Sequence, residues 1–106
     1  MNKIEVASAK EFAQYVNAHE RVLVDFYKDN CPGCKMLDLS LGKFESTAVA
    51  SGITLLKVKL ETVGEALFHE YGLRQTPSLL CFVNGQETGR LAGFASPAQI
   101  ETLTAA

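Results

Sequence analysis

The sequence predicts an α/β fold, a central mixed β-sheet with helices on both faces, and three features carry that reading. Short apolar runs alternate with amphipathic stretches that open on helix-capping residues. One apolar run, Val22-Leu23-Val24-Asp25-Phe26-Tyr27, is nearly continuous, as a strand covered on both faces requires. Near the end, Asn84-Gly85 sits between two strand-like runs, and this dipeptide favours the backbone of a two-residue hairpin turn.

Each element follows in order. Residues 3–6 alternate in polarity and suit an edge strand. Ser8-Ala9-Lys10-Glu11 is a capping box, in which serine and glutamate satisfy free amides at a helix start. The helix it opens should run to about residue 19, burying Phe12 and Val16 with Tyr15 beside them. After the 22–27 strand, residues 31–50 read as a helix, against which Gly42 counts. Residues 53–60 are a second strand rich in branched side chains. Thr62-Val63-Gly64-Glu65 reads as another capping box, for a helix ending near Tyr71-Gly72. Strands at 78–83 and 87–92 flank the hairpin turn. Ser96-Pro97-Ala98-Gln99 caps the last helix, with proline in its first turn, where no N–H is missed. Strands separated by helices imply parallel pairing with right-handed crossovers, and the hairpin adds an antiparallel pair.

A chain of 106 residues is the size of one domain, and it can bury a core without disulfide staples. The composition, 47% hydrophobic and 21% charged, is that of a globular protein. A net charge of −2 with mixed signs argues against a nucleic-acid or membrane partner. No apolar stretch approaches the roughly 18 residues of a spanning helix. The N-terminus lacks the apolar segment of a secretory signal, so a cytoplasmic location is expected. Three cysteines are too few for a disulfide scaffold, and in a reducing compartment a close pair is catalytic or metal-binding.

That pair is Cys31-Pro32-Gly33-Cys34, directly after a strand and at a helix start. Positions i and i+3 of a helix place two sulfurs on one face, close enough to bridge. Unpaired amides and the helix dipole stabilise a thiolate on the first cysteine, lowering its pKa from about 8.5. Cys31 is thus the candidate nucleophile, and Cys34, one turn deeper, the resolving thiol. The competing reading is half of a zinc site. Zinc would need two more ligands, and only Cys81, His19 and His69 remain, without a second ligand spacing. No metal and no cofactor are expected. Both histidines read as surface residues, and Cys81, inside an apolar strand, reads first as a packing residue.

Val24-Asp25-Phe26-Tyr27 followed by Cys31-Pro32-Gly33-Cys34-Lys35-Met36 resembles the active-site segment of the thioredoxin family. The resemblance continues through Tyr71-Gly72-Leu73-Arg74-Gln75-Thr76-Pro77-Ser78-Leu79-Leu80 and Phe82-Val83-Asn84-Gly85 to Gly93, and so covers nearly the whole chain. It implies a buried carboxylate at Asp25 with Lys57 as its partner. Asp25 also stands out unaided, because it interrupts an apolar strand six residues before Cys31. Burial raises a carboxyl pKa, which would let Asp25 exchange a proton with Cys34. The alternatives are that strand twist carries Asp25 to solvent, or that it only pairs with Lys57. The resemblance further implies a cis bond before Pro77, a Thr76 backbone that pairs with an extended substrate, and space for that substrate at Gly93. An ordinary trans-proline opening a strand is the alternative. Asp38, four residues beyond Cys34, could bias the thiol's proton affinity or lie on a solvated helix face.

Three positions depart from the family pattern. Asn30 replaces the tryptophan before the first cysteine, the dipeptide between the cysteines is Pro32-Gly33 in place of Gly-Pro, and Leu39 takes the place of a helix-kinking proline. The function implied is reduction of protein disulfides by a monomer that a thioredoxin-reductase-like flavoprotein recycles. A glutathione-dependent, glutaredoxin-like reductase and a non-enzymatic subunit of a larger assembly are the alternatives.

Overall fold

A computed structural model describes residues 1–105. Its elements are β1 (Asn2–Glu5), α1 (Ala9–Ala18), β2 (Arg21–Tyr27), α2 (Pro32–Glu45), a 3-10 segment (Ala48–Gly52), β3 (Thr54–Lys59), α3 (Leu60–Val63), α4 (Glu65–Glu70), β4 (Ser78–Val83), β5 (Gln86–Ala92) and α5 (Pro97–Ala105). The five strands form one sheet in the order β1-β3-β2-β4-β5. β2 holds the centre, parallel to β3 and antiparallel to β4, and β3 is also parallel to β1.

Strict alternation along β2 divides the interior into two cores, one on each face of the sheet. Val22, Val24 and Phe26 point to one face, where Phe12 and Val16 of α1 and Leu67 and Phe68 of α4 cover them. Leu23 points to the other, packed with Leu37, Leu41 and Phe44 of α2 and Ile100 of α5. Each such buried Val, Leu or Phe contributes roughly 1.5–3 kcal/mol, so both helical layers are held by apolar burial. The same alternation sends Asp25 to the α2 face, inside the second core.

The local signals act as the physics of caps and turns requires. Ser8 Oγ accepts the Glu11 N–H at 3.1 Å. The box at α5 closes in both directions, with Ser96 N–H on Gln99 Oε1 at 2.8 Å and Gln99 N–H on Ser96 Oγ at 3.2 Å. At the hairpin, Asn84 and Gly85 both take positive φ, 51° and 81°, the conformation that such a tight turn demands.

Three expectations fail. Strands separated by helices should pair in parallel, yet β4 runs antiparallel to β2. β3 leaves the sheet at Lys59, opposite Tyr27, and β4 enters at Ser78, opposite Phe26. The connection therefore begins and ends at the same end of the strands, and its helices, of four and six residues, do not carry the chain back along the sheet. Thr62 does not cap a helix either. It lies inside α3, and Gly64, with φ of 91°, breaks the path between α3 and α4. Lastly, the helix expected over 31–50 ends at Glu45, and a 3-10 segment completes the span. Gly42 is not the cause, since the helix passes through it. The path ends where Ser46 and Thr47 turn their amides back onto the carbonyls of Lys43 and Phe44.

Candidate active site

The turn between β2 and α2 is fixed by short polar contacts. Asp29 N–H reaches both carboxylate oxygens of Glu61 at 3.3 Å, and Lys59 Nζ lies 3.1 Å from Asp29 Oδ1. Asn30, where the family carries tryptophan, takes a φ of 54°, a left-handed conformation that asparagine tolerates better than most side chains. The chain then enters α2 with Cys31 as its N-cap and Pro32 in the first turn.

Cys31 and Cys34 are joined in a disulfide, with Cα atoms 5.2 Å apart. The Cys34 N–H points at Cys31 Sγ, 3.2 Å away. A reduced Cys31 would meet the same N–H and the positive end of α2, the surroundings that favour a thiolate. The sequence placed Cys34 deeper than Cys31. In the disulfide form the two are equally buried, at 5% and 6% exposure, so exposure does not distinguish them. What does distinguish them is the cap position of Cys31 and its contact with Thr76 Oγ1 at 3.7 Å.

Thr76 precedes a cis peptide bond to Pro77. Pro77 packs against the cysteine turn so closely that a Cβ on Gly33 would sit 3.3 Å from its ring. Gly93 N–H donates to Pro77 O at 2.8 Å, with a φ of 85° that excludes most side chains. A Cβ there would also come within 3.0 Å of the Gln75 amide nitrogen. Cys31 thus meets Thr76, and the proline that follows Thr76 touches both the cysteine turn at Gly33 and the backbone at Gly93.

Asp25 is 1% exposed and stands opposite Lys57 in the β2–β3 register. Lys57 Nζ lies 2.9 Å from Asp25 Oδ2, while Asp25 Oδ1 is buried without a hydrogen-bond partner. Burial pushes the carboxyl up from 3.8 to about 6, against the pull of the Lys57 charge. Burial works against the Lys57 ammonium too, but Asp25 and Asp38 outweigh it and hold its pKa above the ordinary lysine value. Strand twist does not carry Asp25 to solvent, and it does pair with Lys57, through one of its two oxygens.

Three neighbours of this pair were not read from sequence as its partners. Asp38 Oδ1 contacts Lys57 Nζ at 2.6 Å. Lys57 also sits over the Tyr27 ring, 4.6 Å from its centroid, and the Tyr27 hydroxyl donates to Glu5 Oε2 at 3.1 Å. Burial first, then Glu5, pushes the Tyr27 hydroxyl up to about 12. The spacing of Asp38 from Cys34 put it on the helix that covers Asp25, but only the fold shows which cation it meets.

The remaining candidates lie elsewhere. Cys81 is a free thiol buried in the second core, paired across the sheet with Leu23. His19 caps the C-terminus of α1 and stacks on Tyr15, and His69 is exposed on α4. Among the described residues no three His, Cys, Asp or Glu side chains group so as to hold a metal ion. No described helix is long and apolar enough to cross a membrane.

Comparison with known proteins agrees with this geometry. The family description "Thioredoxin" matches residues 3–106. A thioredoxin from Chlamydia caviae is 33% identical over 90 residues, covering 85% of this chain and 84% of that one. A bifunctional thioredoxin reductase/thioredoxin from Mycobacterium leprae is 31% identical over 90 residues, which are 85% of this chain and 19% of that protein. The crystal structure of Trxlp from Edwardsiella tarda superposes with a TM-score of 0.79 at 31% identity, covering 94% of this chain and 97% of that one. With a family match over nearly its whole length and a disulfide at the cysteine pair, this chain belongs to the thioredoxin family and is a thiol–disulfide oxidoreductase.

Proposed function

We propose that the protein reduces disulfides in other proteins, with Cys31 as nucleophile and Cys34 as resolving thiol. The observation that carries this assignment is the position of Cys31 Sγ, on the Cys34 N–H at the start of α2 and beside Thr76 and Pro77. The Cys31 thiolate attacks one substrate sulfur, the substrate S–S bond breaks, and the other substrate sulfur leaves as a thiolate and is protonated. Cys34 then gives its proton to Asp25 and attacks Cys31 Sγ. The second substrate thiol departs, and two electrons have passed from the cysteine pair to the substrate.

Thr76, two residues before β4, offers its backbone for strand-like pairing with the substrate chain, and Gly93 leaves that approach open. Lys57 holds one oxygen of Asp25. The Mycobacterium leprae relative, reductase and thioredoxin in one chain, supports a thioredoxin-reductase-like flavoprotein as electron donor. We read the 106 residues as a single monomeric domain working in the cytoplasm and carrying electrons between that donor and its substrates.

The test is reduction of a protein disulfide with dithiothreitol as the electron source. Wild type and Cys81→Ser should turn over alike, and Cys31→Ser should lose about a hundredfold or more, since no other thiol holds the cap position of α2. Loss of turnover in Cys81→Ser alone would contradict the assignment. Replacing dithiothreitol by NADPH with a thioredoxin reductase, or by glutathione, identifies the donor, and sustained turnover with glutathione alone would favour the glutaredoxin-like alternative.

A further inference from the structure

Lys57 is shared. Its Nζ lies 2.9 Å from Asp25 Oδ2 and 2.6 Å from Asp38 Oδ1, so one ammonium serves two carboxylates. The shorter contact is to the group outside: the Asp38 side chain is 53% exposed and that of Asp25 only 1%. Glu5, a third carboxylate nearby, takes the Tyr27 hydroxyl on Oε2. An open cleft of about 270 Å³, lined in part by Glu5, Asp38, Gly42 and Lys57, brings solvent to this side of the pair.

We propose that Asp38 is a positioning residue of the resolving step: by holding part of the Lys57 ammonium it leaves the Asp25 carboxylate undercompensated and so keeps it a competent base. The inference rests on the reading of Asp25 as the base for Cys34. Charged and titratable groups face Asp25 from each side: Lys57 from β3, Asp38 from α2, Glu5 from β1, and Tyr27 on its own strand, while its β4 neighbour, Leu79, is uncharged. Of the charges, only Lys57 favours the ionised form of Asp25; Asp38 and Glu5 oppose it. Without Asp38 the ammonium would have Asp25 as its one carboxylate, and two changes would act in the same direction. The like charge disappears and the opposite charge closes in, both making Asp25 a stronger acid and a weaker base. Asp38 is not needed to fill the core, so its replacement leaves the fold intact.

The test follows the Asp25 carboxyl carbon by NMR in the oxidised protein, where neither active-site sulfur titrates. Asp38→Asn should lower the Asp25 midpoint by about one unit, as removal of a nearby like charge does, and Asp38→Glu should restore most of it. Repeated in a Lys57→Met background, Asp38→Asn should move the midpoint much less, because the effect runs through the shared ammonium. In single-turnover release, the acid limb of the pH profile should move down with the midpoint, and the rate above it should fall a few-fold. An Asp25 midpoint that stays or rises in Asp38→Asn would overturn the inference, as would an equal shift in both backgrounds. Failure of the underlying reading looks different: Asp25→Asn would then leave release unchanged, while the NMR midpoints would still show whether Asp38 controls Asp25.

Discussion

Cys34→Ser is expected to accumulate a stable mixed disulfide between Cys31 and its substrate, and Cys31→Ser to accumulate almost none. Exchange passes obligatorily through that covalent species, and serine cannot complete the second displacement. The asymmetry follows from the start of α2. Cys31 has the cap position, the aimed N–H of Cys34 and the contact with Thr76, while Cys34 lies one turn into the helix. Cys81, the one remaining thiol, is walled into the α2 face of the sheet and offers no alternative nucleophile. Non-reducing electrophoresis after mixing each variant with a disulfide-containing protein should show at least about tenfold more adduct for Cys34→Ser. Equal adducts from both variants would mean that either sulfur attacks.

Asp25→Asn should slow release while raising stability, two effects with one cause. As a base, Asp25 must be ionised, so the wild-type release rate should rise as pH passes upward through about 6. In Asp25→Asn that limb vanishes, and what remains follows the unassisted ionisation of Cys34. The loss at neutral pH should be about ten- to a hundredfold, below the largest general-base effects because thiols ionise readily.

Stability runs the other way. The folded carboxyl titrates near 6 and the unfolded one near 3.8, so between those values the native state binds more protons than the unfolded state. The favourable contribution is complete below about 3.8 and is lost as pH rises through about 6. Above that, the buried anion costs about 3 kcal/mol, an upper figure that the amide's own unmet hydrogen bonds reduce. Lys57 keeps Asp38 as a partner in the variant, so no bare ammonium is left behind. Denaturant unfolding should therefore find Asp25→Asn more stable than wild type at pH 8, with the difference shrinking toward pH 4. A difference independent of pH would contradict the assigned titration.

Much of this was legible in the chain because the decisive signals are local. Ser96 and Gln99 sit three residues apart, as a reciprocal cap requires, and Asn84-Gly85 carries its backbone conformation in its composition. Cys31 and Cys34 are one helical turn apart, so their bridge is also a local event. Asp25 announced itself by interrupting an apolar run. Its charged surroundings were less legible, because Lys57 lies 32 residues away and meets it only through the β2–β3 register. Asp38 was recognised as close to Cys34 in sequence, yet its cation comes from another strand. Likewise the direction of β4 depends on where the connection after β3 re-enters the sheet, and helix–strand alternation says nothing of that. The capping pattern at Thr62 misled because Gly64, within the same four residues, bends the backbone out of the helix.

The most direct test of the account is an equilibrium redox titration of the Cys31–Cys34 pair. The protein is held in buffers of stepped reduced-to-oxidised glutathione ratio, quenched in acid and mapped by alkylation. The account predicts one two-electron transition confined to Cys31 and Cys34, with a tenfold change in the equilibrium ratio for about 30 mV, and Cys81 reduced throughout. A Cys31–Cys34 bond that stays closed at every poise, or a transition carried by Cys81, would contradict it.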